Sequence, residues 1–211
     1  METKFTEQES LAIISKMIEQ ARNNLQKGSG NSMIFIGLLV SITAICNVIL
    51  ALIFIKNDIT ANNSFFIWCL MIPGIYINSL IKKNIYRKSM VKTHIDSIVK
   101  STWQAYGYSC FLFLGVIFGI GFGKKFYELF YLINPVILIC VGLAEFITAK
   151  ACRFKPYMYG AFVMWFGALA CAAVMVFQNA VILQLFILSV CMITGFVIPG
   201  YLLNKLAKKN V

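Results

Sequence analysis

Residues 157–203 read YMYGAFVMWFGALACAAVMVFQNAVILQLFILSVCMITGFVIPGYLL, and the one adjacent polar pair in the stretch is Gln178–Asn179. About 20 apolar residues cross a bilayer. One helix through the whole stretch would be too long for a single crossing even when tilted. Two crossings with a tight turn at Gln178–Asn179 resolve the mismatch, and that choice sets the count for the chain.

Four more apolar runs precede this stretch. The six expected spans are Ser32–Ile55, Ser64–Ile81, Trp103–Gly123, Leu129–Ala149, Tyr157–Phe177 and Ala180–Leu203. The expected class is an all-α integral membrane protein, a six-helix bundle. Of 211 residues, 60% are hydrophobic and 13% charged, where a soluble domain carries about 25% charged residues.

Six spans put both termini, and the loops after spans 2 and 4, on one side. Of 19 Lys and Arg, only Lys56, Lys124 and Lys125 fall on the other side. Short basic loops stay cytoplasmic, so both termini are expected in the cytoplasm and the lipid bilayer is the first partner. The net charge of +11 follows from the same rule. Nucleic acid, which needs a basic soluble face, is not an expected partner. The first apolar segment is too long for the core of a cleavable signal peptide and reads as a signal anchor.

The seven cysteines lie in spans or at their cytoplasmic edges and form no CxxC pair. Neither a disulfide framework nor a zinc site has that spacing; they read as small apolar packing residues. The single histidine, His94, stands in a basic loop. No HExxH, P-loop or serine–histidine arrangement is present. No catalytic residue, cofactor or metal is expected, and the chain reads as non-enzymatic.

Inside the bundle, Glu145 is the one acid or base well within a span. Such an acid is a functional candidate by default. It precedes Lys150 by five residues, about 7 Å along a helix, so the expectation places it near the cytoplasmic interface, within reach of water, Lys150 or Arg153. Asn78 and Asn204 precede Lys82 and Lys208 by four residues each. The three polar residues form either a cluster at a cytoplasmic mouth or three helix ends meeting headgroups. Gly115, Gly119 and Gly123 make a tandem small-residue pattern for close helix packing, with span 5 as the expected neighbour. Pro73, Pro135 and Pro199 are expected kinks, each freeing a backbone carbonyl.

Before the first span, FTEQESLAIISKMIEQARNNLQKGSG reads as a cytoplasmic amphipathic helix over residues 1–31. Thr6 and Glu9 make a capping box, and Gly28 stands where a helix would stop. Leu11, Ile14, Ile18, Ala21 and Leu25 form an apolar seam. The seam docks on the bundle, self-associates, binds a protein partner or lies on lipid. Residues 1–31 carry four acids against four bases, and a lipid-surface helix is usually basic; that balance favours protein contact. The loop Lys82–Thr102 is basic, and its apolar residues (Met90, Val91, Ile95, Ile98, Val99) are spaced for a helix running into span 3.

The C-terminal IPGYLLNKLAKKN, Ile198–Asn210, nearly repeats IPGIYINSLIKKN, Ile72–Asn84. The spacing suggests three helix-hairpin repeats with Pro73, Pro135 and Pro199 in equivalent strokes, whereas matching Glu145 to Asn78 and Asn204 by depth needs another register. The repeat reads mainly as a topological stop signal: a proline–glycine kink, an interfacial asparagine and a basic anchor at the cytoplasmic edge. ESLAIISKMIEQARNNLQKGSGNSMIFIG (Glu9–Gly37), the FKP at Phe154–Pro156 and the closing IPGYLLNKLAKK resemble a family of small polytopic membrane proteins common in Bacteroidota. The resemblance implies a bacterial inner-membrane location and carries no activity. The expected function is a regulatory or scaffolding role through the cytoplasmic helix, as a homo-oligomer or with a protein partner. The alternatives are a small transporter or channel with a path near Glu145 and, behind it, a membrane-bound enzyme.

Overall fold

The computed structural model describes residues 7–57, 61–88, 94–177 and 180–209, and within 7–29 the side chains of Leu11, Ile13 and Ser15. Its α-helices are α1 (Glu7–Lys56), α2 (Met71–Lys88), α3 (His94–Gly123), α4 (Ile133–Cys152), α5 (Lys155–Ala173), α6 (Ala180–Met192) and α7 (Ile198–Lys209). No strand occurs among the described residues. Six helical stretches are long and apolar enough to cross a membrane: Gly30–Lys56, Ser64–Asn84, His94–Gly123, Glu128–Cys152, Lys155–Val176 and Ala180–Leu206. The chain is therefore an all-α six-helix bundle and a multi-pass membrane protein. The stretch that decided the count divides into two spans, Lys155–Val176 and Ala180–Leu206; Gln178 and Asn179, the expected turn, lie outside the described residues.

Of two expectations about helix ends, one fails and one holds. Gly28 does not stop the first helix: α1 runs 50 residues without a break, from Glu7 to Lys56. Glycine ends a helix by taking a left-handed conformation, and no described glycine has a positive φ. The basic loop does run into span 3, with α3 beginning at His94. Thr6, Met90 and Val91 lie outside the described residues.

The prolines change helical pitch. Pro73 and Pro135 are each the third residue of an α-helix, after 3-10 stretches at Ala61–Leu70 and Tyr127–Leu132. Pro199 is the second residue of α7, after a π-helical stretch at Ile193–Val197. Proline offers no N–H to the carbonyl four residues earlier, so the preceding turn tightens or widens. The three sites are not equivalent: two follow a tight turn and one a wide one, which argues against three matching hairpins.

Span 6 is the most enclosed, with 44% of its apolar window buried, against 11% for span 3. Helix α1 packs on α2, α6 and α7, α4 on α5, and α3 on α4. Leu138, Met164 and Leu185 are the largest fully buried apolar side chains. Between the helices, small residues let backbones approach, as in other membrane bundles. A Cβ built on Gly30 would lie 2.6 Å from the Gly200 carbonyl oxygen, fixing the crossing of α1 with α7.

Among the described residues, Gly115, Gly119 and Gly123 of span 3 do not serve this purpose. A Cβ on Gly115, Gly119 or Gly123 would meet nothing within 4 Å. These residues face outward, and α3 leans on α4 rather than making the expected close crossing with α5. Only Gly121 between them is packed, against the ring of Phe130.

Candidate functional site

Glu145 lies on α4, seven residues before its last residue, Cys152, or about 10 Å along the axis. Despite that shallow position it is fully buried, and neither carboxyl oxygen has a hydrogen-bond partner among the described residues. The expected interfacial acid is a buried one. Lys150, expected to reach it, extends over the ring of Phe146, 5.5 Å from its centre. Arg153, exposed, caps the end of α4 in a left-handed conformation. Thr148, one turn on from Glu145, donates to the Ala144 carbonyl within its own helix at 2.7 Å.

The carboxyl faces a gap made by two glycines. A Cβ on Gly160 of α5 would lie 3.1 Å and 3.3 Å from the two Glu145 oxygens and would collide with the Gly195 carbonyl oxygen. Gly195 belongs to the π-helical stretch, and Pro199 cannot donate to its carbonyl, so the α-helical bond between them is not made. Three helices thus bring a carboxyl group and a backbone carbonyl to the same side of Gly160. Both are acceptors. The methyl of Met164 packs close to Gly195, 2.8 Å from where its Cβ would stand, and closes the gap on one side.

Pro135 shows how a freed carbonyl is otherwise served. Four residues before it, the Tyr131 carbonyl accepts from Gln184 Nε2 at 3.1 Å. The same amide nitrogen donates to the Cys171 carbonyl at 3.0 Å, and Gln184 Oε1 accepts from Asn134 at 3.3 Å. Gln184 is almost fully buried and ties spans 4, 5 and 6 together. Sequence analysis passed over it; the signal was an amide four residues into an otherwise apolar span. Ser41 and Ser189 likewise join α1 to α6: the Ser189 hydroxyl donates to the Ser41 carbonyl at 3.4 Å, and the Ser41 hydroxyl is shared between the Gly37 carbonyl of its own helix at 2.8 Å and the Ser189 carbonyl at 3.2 Å. Asn47 on α1 is buried with both amide atoms unpartnered among the described residues.

Glu145, Asn78 and Asn204 do not form one hydrogen-bonded cluster. The two asparagines instead bond to successive residues of α1. Ser32 Oγ donates to Asn78 Oδ1 at 2.7 Å, and Asn204 Nδ2 donates to Asn31 Oδ1 at 2.6 Å. One turn earlier on each helix, the glycine of the repeat also meets α1: a Cβ on Gly74 would collide with Leu39, and one on Gly200 would lie 3.0 Å from the Gly30 carbonyl oxygen. The repeated IPGxxxN is therefore a docking motif used twice on one helix, with glycine for approach and asparagine for a bond. We expect Asn78→Leu and Asn204→Leu each to lower stability by roughly 1 kcal/mol, the scale of an interhelical hydrogen bond in a membrane, read as a fall in the thermal midpoint of the purified protein in detergent.

Of the seam, Leu11 is exposed, as is Ile13 beside it; the side chains of Ile14, Ile18, Ala21 and Leu25 lie outside the described ones, although their backbone is helical. Fold and site together define a helical multi-pass membrane protein with a buried acid beside a carbonyl that a proline deprives of its α-helical donor. The chain matches no protein-family model, no curated protein and no solved structure.

Proposed function

We propose that this is a non-enzymatic protein of a bacterial inner membrane, with both termini in the cytoplasm, and that it works as a regulatory or scaffolding component. The part that acts is the cytoplasmic portion of α1, which pairs with a second copy or a protein partner. The observation that carries this reading is the continuity of α1 through Gly28. An α-helix without a break or a proline does not turn back on the bundle it leaves. About six helical turns before Gly30 therefore extend beyond the span, and Leu11 and Ile13 on them are exposed. The balance of four acids and four bases in residues 1–31 suits a protein surface better than a lipid one. The charge distribution supports the orientation, and the resemblance to the Bacteroidota family supports the membrane.

Cross-linking in native membranes tests this. The full chain should give a discrete cross-linked species. Ile14→Asp or Ile18→Asp should abolish it while membrane insertion is unchanged; a species that survives both substitutions would sink the reading. A second reading, a small transporter with a path near Glu145, is favoured by one observation: the acid is buried without a partner, and unpartnered buried acids in membranes line ion and proton routes.

A further inference from the structure

We propose that Glu145 and the Gly195 carbonyl form a binding site for a monovalent alkali cation, at the junction of α4, α5 and the π-helical stretch of span 6. Four observations converge on this place. Both Glu145 oxygens lack a partner in a fully buried residue. Pro199 withholds from the Gly195 carbonyl the donor that an α-helix would supply. Gly160, having no side chain, lets both groups come to its face. Gly195 stands in a π-helical stretch, Ile193–Val197, a form frequently found at functional sites.

An ionised carboxyl beside a carbonyl at one buried place needs something positive between them, because a buried charge left unpaired is costly. Gln184 provides the internal comparison. Where Pro135 frees the Tyr131 carbonyl, the fold supplies an amide donor. Where Pro199 withholds the α-helical donor from the Gly195 carbonyl, the fold brings an acid. Unwound backbone carbonyls beside a discontinuous helix are a recurrent means of holding Na⁺ in membranes. Charge selects the class of ion. One carboxylate balances one monovalent charge, and no group of three or more His, Cys, Asp or Glu able to hold a metal occurs among the described residues. Divalent and transition ions draw on such groups. The site deepens the transporter reading, but binding stands or falls separately from flux.

The test uses the full chain purified in detergent, with Na⁺ and K⁺ as probes and choline at matched ionic strength as reference. The thermal midpoint should rise saturably with one or both alkali ions and not with choline, and radioactive sodium or potassium should bind at one ion per chain. Glu145→Gln should remove the saturable response. Pro199→Ala, which returns an N–H to the Gly195 carbonyl and leaves the acid intact, should weaken binding at least tenfold. If Glu145→Gln fails to fold, Pro199→Ala and Gly160→Ala decide, the latter by placing a methyl against both acceptors. A midpoint that responds alike to all three salts, or a response that Glu145→Gln retains, would overturn the proposal. Saturable binding with no flux in reconstituted vesicles would support the site and remove the transporter reading.

Discussion

Glu145→Met raises the thermal midpoint of the purified protein in buffer free of alkali cations. The two side chains are similar in length, so the substitution leaves no large cavity beside Gly160. It removes two buried oxygens that make no hydrogen bond among the described residues. Leaving a buried polar group unsatisfied costs about 1–3 kcal/mol, more if it is charged, and apolar replacement of buried ionic groups often stabilises by a similar amount. The expected gain is about 2 kcal/mol. Glu145→Ala is the contrasting variant: it removes the same oxygens but opens a cavity, so it should gain less or lose. A fall in the midpoint for Glu145→Met would mean that the carboxyl is held by a group outside the described residues. A residue that lowers stability where it stands is consistent with selection for something other than stability.

The number of spans was legible because it depends on one quantity, the length of apolar sequence against the thickness of a bilayer. The six structural spans depart from the sequence ones chiefly at α3, whose helix begins at His94 rather than Trp103. Depth was less legible. Counting from Lys150 placed Glu145 near water, but a helix end can be covered by its neighbours, and α5 and the π-helical stretch cover this one. Residue spacing along one helix does not say which helix lies beside it. The same limit explains Asn78 and Asn204. Their shared distance from a lysine suggested a common cluster with Glu145; their real common feature is α1, visible in sequence as the repeated IPGxxxN but not readable as a contact. Gly28 misled for a local reason. Glycine costs a helix about 1 kcal/mol, which a long helix anchored in a membrane tolerates.

The glycines give the sharpest contrast between pattern and packing, and the second large effect follows from it. Gly30→Leu should strongly destabilise the protein, whereas Gly115→Leu and Gly119→Leu should not. At Gly30 any Cβ would collide with the Asn204 side chain and approach the Gly200 carbonyl oxygen to 2.6 Å. That oxygen belongs to the backbone, so α1 and α7 must separate. Overpacking of this kind costs about 1–3 kcal/mol and more when backbone moves, and separation also breaks the Asn31–Asn204 bond. The expected loss is about 3 kcal/mol or more. At Gly115 and Gly119 a Cβ meets nothing within 4 Å, so leucine adds helix propensity of just under 1 kcal/mol and lipid contact at no steric cost. The tandem small-residue spacing in span 3 is the more conspicuous signal in the sequence, yet the isolated Gly30 carries the load, because close approach needs a glycine on the partner too. Gly30 has Gly200; Gly115 has no neighbour within 4 Å among the described residues. Thermal unfolding of the three variants in one detergent decides the matter: a Gly30→Leu protein as stable as Gly115→Leu would show that α1 and α7 do not cross at these residues.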